Sequence, residues 1–324
     1  MKNKRVLLAN SLLVLALSLF VLIPILANHI FKLNGIISGN VSLLLSGGAS
    51  VLVFGGISLL YCKITKRKFV LVMNLKKISI RQAILVVFVA IGTYIFAVGV
   101  NAISMQLFPI AVKDSQAISK LLNSSSTLLG LIVVVLIPAF FEEVFFRGVL
   151  LDAYEGLNKK LKYFILTLIF ATFHGNVMQI IYVMFLGLIL LKVREYTGSL
   201  LGSITLHAVN NAISFTLSKV AMYVAKLQAS GIKGVAVEPK KTAEAMNISL
   251  RQALITAIIF FLIGGSILYI NLRKLKEYKE AKEALEFIEE ESVVIKDGNL
   301  INVGEYIPLI IYFVAITVVV VLSY

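Results

Sequence analysis

Apolar residues run along this chain in long blocks broken by short polar stretches, rather than alternating or recurring every third or fourth position. Blocks of about 20 apolar residues, the length that crosses a bilayer as a helix, fall at 6–27, 41–62, 82–108 and 127–151. Shorter or interrupted ones lie at 162–175, 178–192 and 199–218, and two more long ones at 252–272 and 306–324. The pattern predicts an all-α, polytopic transmembrane helix bundle of nine spans, or eight if one of the short middle segments is re-entrant. Glycines and polar residues interrupt those middle segments, as expected of helices that line a polar cavity.

The predicted organisation is three parts: N-terminal transmembrane helices over 1–80, a core over 81–220 and a C-terminal part over 221–324. The C-terminal part holds a loop near 220–250, a further span, a charged segment and the last span. That charged segment, from Arg273 to Glu286, repeats apolar residues at roughly helical spacing, which predicts an amphipathic helix at the membrane face. Asp297-Gly298 between apolar residues is a β-hairpin signal, with a solvated linker as the alternative.

Composition sharpens this. The 324 residues are 59% hydrophobic and only 15% charged, more apolar surface than a soluble domain can hide from water. The net charge of +14 would suggest a nucleic-acid partner in a soluble protein. Here the basic residues are spread between the spans instead of forming one patch, so no nucleic acid is expected. With the N-terminus inside, the inner segments carry more than twice as many Lys and Arg as the outer ones, which predicts a cytoplasmic N-terminus. The first apolar block follows Lys2, Lys4 and Arg5 but is longer than a signal-peptide core, so it reads as a retained helix. One cysteine, Cys62, excludes internal disulfides and a Cys-rich metal site. The absence of Trp and the Lys/Ile/Asn-rich composition point to a prokaryotic cell membrane.

Against this background a few polar residues stand out. Glu142 and Glu143 lie inside the fourth block, in Ala139-Phe-Phe-Glu-Glu-Val-Phe-Phe-Arg147. An ionisable cluster inside a membrane span is a functional-site hypothesis by default. Glu143 and Arg147 are four apart and so positioned to pair. Glu142 points elsewhere, with Phe145 and Phe146 at i+3 and i+4. An unpaired carboxylate among phenylalanines suits a general base. His174, with Phe170 one turn earlier on the same face, is placed to orient a water beside Glu142. His207 and Asn211, also four apart, offer two convergent N–H donors, as an oxyanion hole requires. His29, the third histidine, sits near a span end and reads as interfacial.

Glu142-Glu143-xxx-Arg147, Phe170-xxx-His174 and His207-xxx-Asn211, in this order within apolar segments, resemble the successive motifs of the CAAX protease and bacteriocin-processing (CPBP) family, the type II CAAX prenyl endopeptidases. The resemblance covers roughly 80–220. It implies an intramembrane glutamic endopeptidase with Glu142 as base, His174 orienting the water, and His207 and Asn211 holding the oxyanion. Glu143, Arg147 and Phe170 would support them. No cofactor and no metal are then expected. The expected partners are the lipid bilayer and a peptide or prenylated CAAX protein, met through an opening on the cytoplasmic side. The alternatives from the residues alone are a metal-dependent membrane protease using the same side chains, although no His-Glu-x-x-His is present, and a non-catalytic immunity, scaffold or transport protein.

Overall fold

The computed structural model describes residues 2–30, 39–108, 125–229, 249–287 and 303–323. Among these, helices are the regular structure, and no strand occurs. In chain order they are α1 (Lys2–Ile30), α2 (Gly39–Thr65), the short α3 (Phe69–Met73), α4 (Ile80–Leu107), α5 (Thr127–Ala153), α6 (Lys159–Phe173), α7 (Val177–Thr197), α8 (Leu200–Ala229), α9 (Leu250–Phe287) and α10 (Ile307–Ser323). A 3-10 turn, Val303–Tyr306, leads into α10.

Six of them, α1, α2, α4, α5, α9 and α10, are long and apolar enough to cross a membrane. The three middle segments differ for physical reasons. α6 has 15 residues, about 22 Å of helix against a hydrocarbon core of about 30 Å. α7 and α8 carry charges and polar residues: Lys192, Arg194 and Glu195 in one, His207, Asn210 and Asn211 in the other. These three helices bury polar side chains against the other six rather than facing lipid all round.

Local sequence sets where the helices start and stop. Ser79 caps α4 with a reciprocal capping box, its hydroxyl accepting from the Gln82 N–H while Gln82 accepts from the Ser79 N–H. Asn158 caps α6 and Asn176 caps α7 through their side-chain oxygens. α7 ends at Gly198 with φ +64°, the left-handed conformation that glycine adopts without strain. The stretch between α2 and α4 contains α3, an element the apolar pattern did not announce. It is docked on the α7–α8 turn: Leu200 N–H donates to Asn74 O, Asn74 Nδ2 to Gly198 O, and the Ser199 hydroxyl to Lys76 O.

Polar ties gather one end of the bundle. Asp152, at the end of α5, accepts from Tyr61 (2.8 Å) and pairs with Arg67 (2.6 Å) and Arg5 (3.3 Å). Lys159 pairs with Glu195 at 2.6 Å, and the Arg81 guanidinium lies over the Tyr278 ring. α4 and α9 pack so closely that a Cβ on Gly264 would stand 2.5 Å from the Phe96 nitrogen. Small residues at such positions let helix backbones approach where no hydrophobic force drives them together.

The charged segment after Arg273 is not a separate amphipathic helix. It continues α9 without a break to Phe287, stitched by the i,i+4 pairs Arg273–Glu277, Lys276–Glu280 and Lys279–Glu283. The hairpin signal at Asp297-Gly298 and most of the 220–250 loop lie outside the described residues.

Candidate active site

α5 is not a uniform α-helix. It widens into π-helical turns at Leu131–Leu136 and again at Val144–Leu150, directly after the two glutamates. Such widened turns are uncommon and concentrate at functional sites. All seven residues of the second one are buried.

Glu143 and Arg147 face the interior from this helix. Glu143 is 0% exposed and Arg147 2%. Arg147 Nη1 donates to Glu143 Oε1 at 2.8 Å, and its Nη2 donates to the Gly187 carbonyl at 3.2 Å. The guanidinium carbon also lies over Phe170, 3.9 Å from the ring centre, where the ring quadrupole attracts the cation. A buried ion pair is tolerable only when its charges are matched and hydrogen-bonded. Here the carboxylate, the Gly187 carbonyl and the Phe170 face together meet that need for Arg147.

The same carboxylate oxygen takes a second partner. His207, 3% exposed on α8, lies with Nδ1 2.9 Å from Glu143 Oε1. Paired with Arg147, Glu143 is an acceptor only, so the His207 nitrogen facing it carries a proton and donates. Nε2 is the ring atom left for chemistry. It is a lone-pair acceptor while the ring is neutral and a donor once the ring carries both protons.

Asn211, one turn above His207, donates from Nδ2 to the Val134 carbonyl at 3.4 Å, a long bond. Its neighbour Asn210 is buried and donates to the Tyr182 hydroxyl at 2.5 Å. That bond ties α8 to α7 and fixes which way α8 turns its His207 face.

His174 closes α6. Its backbone N–H reaches Ala171 O and its ring Nδ1 lies 2.9 Å from Phe170 O. The last carbonyls of a helix lack intrahelical donors, and here the side chain of the closing residue satisfies one. A carbonyl only accepts, so Nδ1 is the protonated nitrogen and Nε2 of the neutral ring holds the lone pair. Phe170 meets His174 edge-on at 5.0 Å and His207 edge-on at 6.1 Å. One ring therefore touches Arg147, His174 and His207.

Glu142 stands apart from this bonded set. It is half-buried, its Oε2 has no hydrogen-bond partner among the described residues, and it lies within electrostatic reach of both His174 and Arg147. His174 is exposed, unlike His207. Glu143 and His207 are thus sealed in, Glu142 is half-buried with its Oε2 shielded, and His174 marks the exposed side of the site. Among the described residues no three His, Cys, Asp or Glu side chains gather into a metal-binding group.

Several supporting residues gave no signal in the sequence. Gly187 is one, a glycine inside an apolar run that lets Arg147 reach a main-chain carbonyl. Tyr182 and Tyr312 are others. Tyr312, on α10, is fully buried, donates to Ile169 O at 3.1 Å, lies 3.0 Å from the Thr172 hydroxyl, and stacks near-parallel on Phe173. It grips the turn of α6 that ends in His174. A tyrosine within an otherwise apolar last span was the only available hint.

Residues 124–213 match the family model described as Type II CAAX prenyl endopeptidase Rce1-like. No curated protein and no solved structure matches the chain. The matched segment holds α5, α6, α7 and the first half of α8, and with them Glu142, Glu143, Arg147, Phe170, His174, His207 and Asn211. This segment is similar to the protease domain of the CAAX-processing type, and the six membrane-length helices among the described residues support an integral membrane protein.

Proposed function

We propose that the protein is an intramembrane endopeptidase that hydrolyses a peptide bond with a water activated by Glu142. The observation that carries this reading is the unpartnered Oε2 of Glu142 near His174, an exposed residue whose Nε2 is an acceptor. An attacking water must place both its protons on acceptors so that a lone pair faces the carbonyl. The Glu142 carboxylate and His174 Nε2 are two such acceptors.

In the reaction, Glu142 takes one proton as the water oxygen adds to the peptide carbonyl. The tetrahedral intermediate carries its negative charge on the former carbonyl oxygen. Asn211 Nδ2 and His207 Nε2–H stabilise that oxygen. His207 donates from Nε2 only as the doubly protonated ring, and Glu143 is the counter-ion for that state. The proton held by Glu142 then passes to the leaving nitrogen as the C–N bond breaks, which restores the carboxylate. Glu143 and Arg147 hold His207 and take no proton. No covalent intermediate forms.

The substrate class is a prenylated protein cleaved near its C-terminal CAAX sequence, or a small peptide handled the same way. The family match supports the first. The distribution of basic residues supports an N-terminus and site opening on the cytoplasmic face, in a prokaryotic cell membrane.

The test is cleavage of a fluorogenic prenylated CAAX peptide by purified protein, wild type against Glu142→Gln. Cleavage by the wild type that the variant loses, and that persists in a strong chelator, supports the reading. Cleavage retained by Glu142→Gln removes the assigned base. Loss in chelator with recovery on adding zinc assigns the chemistry to a metal.

A further inference from the structure

Away from Glu142, which does not line it, α6 and α7 leave a groove of about 770 Å³ between them. Its walls are Phe164 from one helix and Met184, Phe185 and Leu188 from the other. Thr167 lines it as well, and its buried hydroxyl has no partner among the described residues. One end has a different character. There Lys159, Lys160 and Lys192 stand around the opening with Glu195.

The charges at this end do not cancel. Glu195 is engaged by Lys159 at 2.6 Å and by the Tyr163 hydroxyl at 2.6 Å, with Lys279 at 3.9 Å. Lys160 and Lys192 have no ion-pair partner among the described residues, so the rim has an excess of positive charge. The groove also has a direction. Lys192 lies seven residues after Phe185 and Lys160 seven before Thr167, each about 10 Å along its helix axis. The positive end therefore lies at the end of the bundle where Arg5, Arg67 and Asp152 meet, and the apolar part runs from there towards the middle of the membrane-length helices.

This is the polarity of a membrane lipid: charge at the interface, then hydrocarbon parallel to the helices. Basic pockets between membrane helices recognise anionic headgroups in this way. We infer that the α6–α7 groove binds one anionic phospholipid, with its phosphate at Lys160 and Lys192 and an acyl chain against Phe164, Met184, Phe185 and Leu188. A neutral prenyl chain would fit the walls but gives no use to the two unpaired lysines. A zwitterionic lipid would use them only in part. The site lies one layer behind the catalytic cluster: a Cβ on Gly187 would meet Thr167 at 3.4 Å on one side and the Arg147 guanidinium at 3.5 Å on the other.

The experiment uses the full chain, purified and delipidated in neutral detergent, with bound lipid counted by native mass spectrometry after adding phosphatidylglycerol or phosphatidylcholine. Two variants are compared with the wild type. Lys160→Gln with Lys192→Gln removes the rim charge, and Leu188→Trp fills the groove. Each is first shown to unfold at the wild-type temperature in detergent alone. The wild type should hold one phosphatidylglycerol in preference to phosphatidylcholine, by about fivefold for each lysine, the factor equivalent to about 1 kcal/mol per basic residue near an anionic surface. The double lysine variant should lose the preference while still binding both lipids weakly, and Leu188→Trp should lose the bound lipid altogether. Equal binding of the two lipids by the wild type would overturn the proposal. So would a preference that survives the lysine changes. A farnesylated neutral peptide that displaces lipid equally from wild type and double variant would give the groove to a prenyl chain instead.

Discussion

Glu142 and Glu143 are neighbours in sequence with the same side chain, yet the fold treats them oppositely. Glu143 is sealed in the core with Arg147 and His207 on a single oxygen. Glu142 is half-buried and holds neither of those partners, although each of the two glutamates keeps one buried oxygen that meets no donor among the described residues. The rotation of about 100° per helical residue is enough to send one carboxylate into a bonded network and its neighbour onto a different face of the helix. The lesson is a division of labour. Both donors on Glu143 land on Oε1 and leave its buried Oε2 without a partner, so what sets this carboxylate apart is the arginine and the histidine it holds still, not a full set of bonds. A carboxylate without such partners is costly to bury, and the proposed reaction gives Glu142 a use for it.

That contrast breaks most sharply at Glu142. Glu142→Gln should cut peptide cleavage by about 10²- to 10⁴-fold, the usual worth of a general base, while the unfolding temperature in detergent stays at the wild-type value. A variant that lost stability together with activity would show that the free carboxylate is structural after all. On the sealed side the signs reverse. Arg147→Met leaves Glu143 buried with one donor fewer, and unfolding should become easier by about 3–5 kcal/mol, as measured by denaturant titration. If Arg147→Met unfolds like the wild type but fails to cleave, the sealed side takes part in the chemistry directly.

Two finer changes sharpen the comparison. Asn211→Ala should lower kcat by about 10²- to 10³-fold, the cost of one oxyanion donor, with KM nearly unchanged. A shift in KM alone would make Asn211 a binding residue. Tyr312→Phe keeps the ring on Phe173 but removes the bond to Ile169 O. It should cost about 0.5–1.5 kcal/mol of stability and a few-fold in kcat, because it loosens the turn that aims His174. An effect on stability with none on kcat would reduce α10 to packing.

Which parts could be read in the sequence follows from distance along the chain. The Glu143–Arg147 pair is local, four residues on one helix, and so was visible in the spacing. The apolar blocks gave the helical class for the same reason: bilayer thickness sets a length that any window of residues records. The second bond on Glu143 comes from His207, 64 residues away, and no local pattern encodes it. His174 shows a subtler limit. Its motif marked it as important, but that it closes α6 on Phe170 O, and so has its tautomer fixed, depends on where the helix ends. The charged run after Arg273 reads as an interfacial helix because its apolar residues recur helically, but helical periodicity cannot show that the helix began 23 residues earlier, at Leu250.

The widened turn at Val144–Leu150 has a consequence for how this protein can change over evolution. A π-turn holds one residue more than an α-turn, so its register depends on a count rather than on a side chain. Removing a single residue there would not merely shorten α5. It would turn everything beyond by about 100° and carry Asp152 away from Tyr61, Arg67 and Arg5. The glutamates and the ionic clasp at the end of the bundle are therefore linked by arithmetic. Insertions and deletions there should be purged even where the residue touched makes no polar contact of its own.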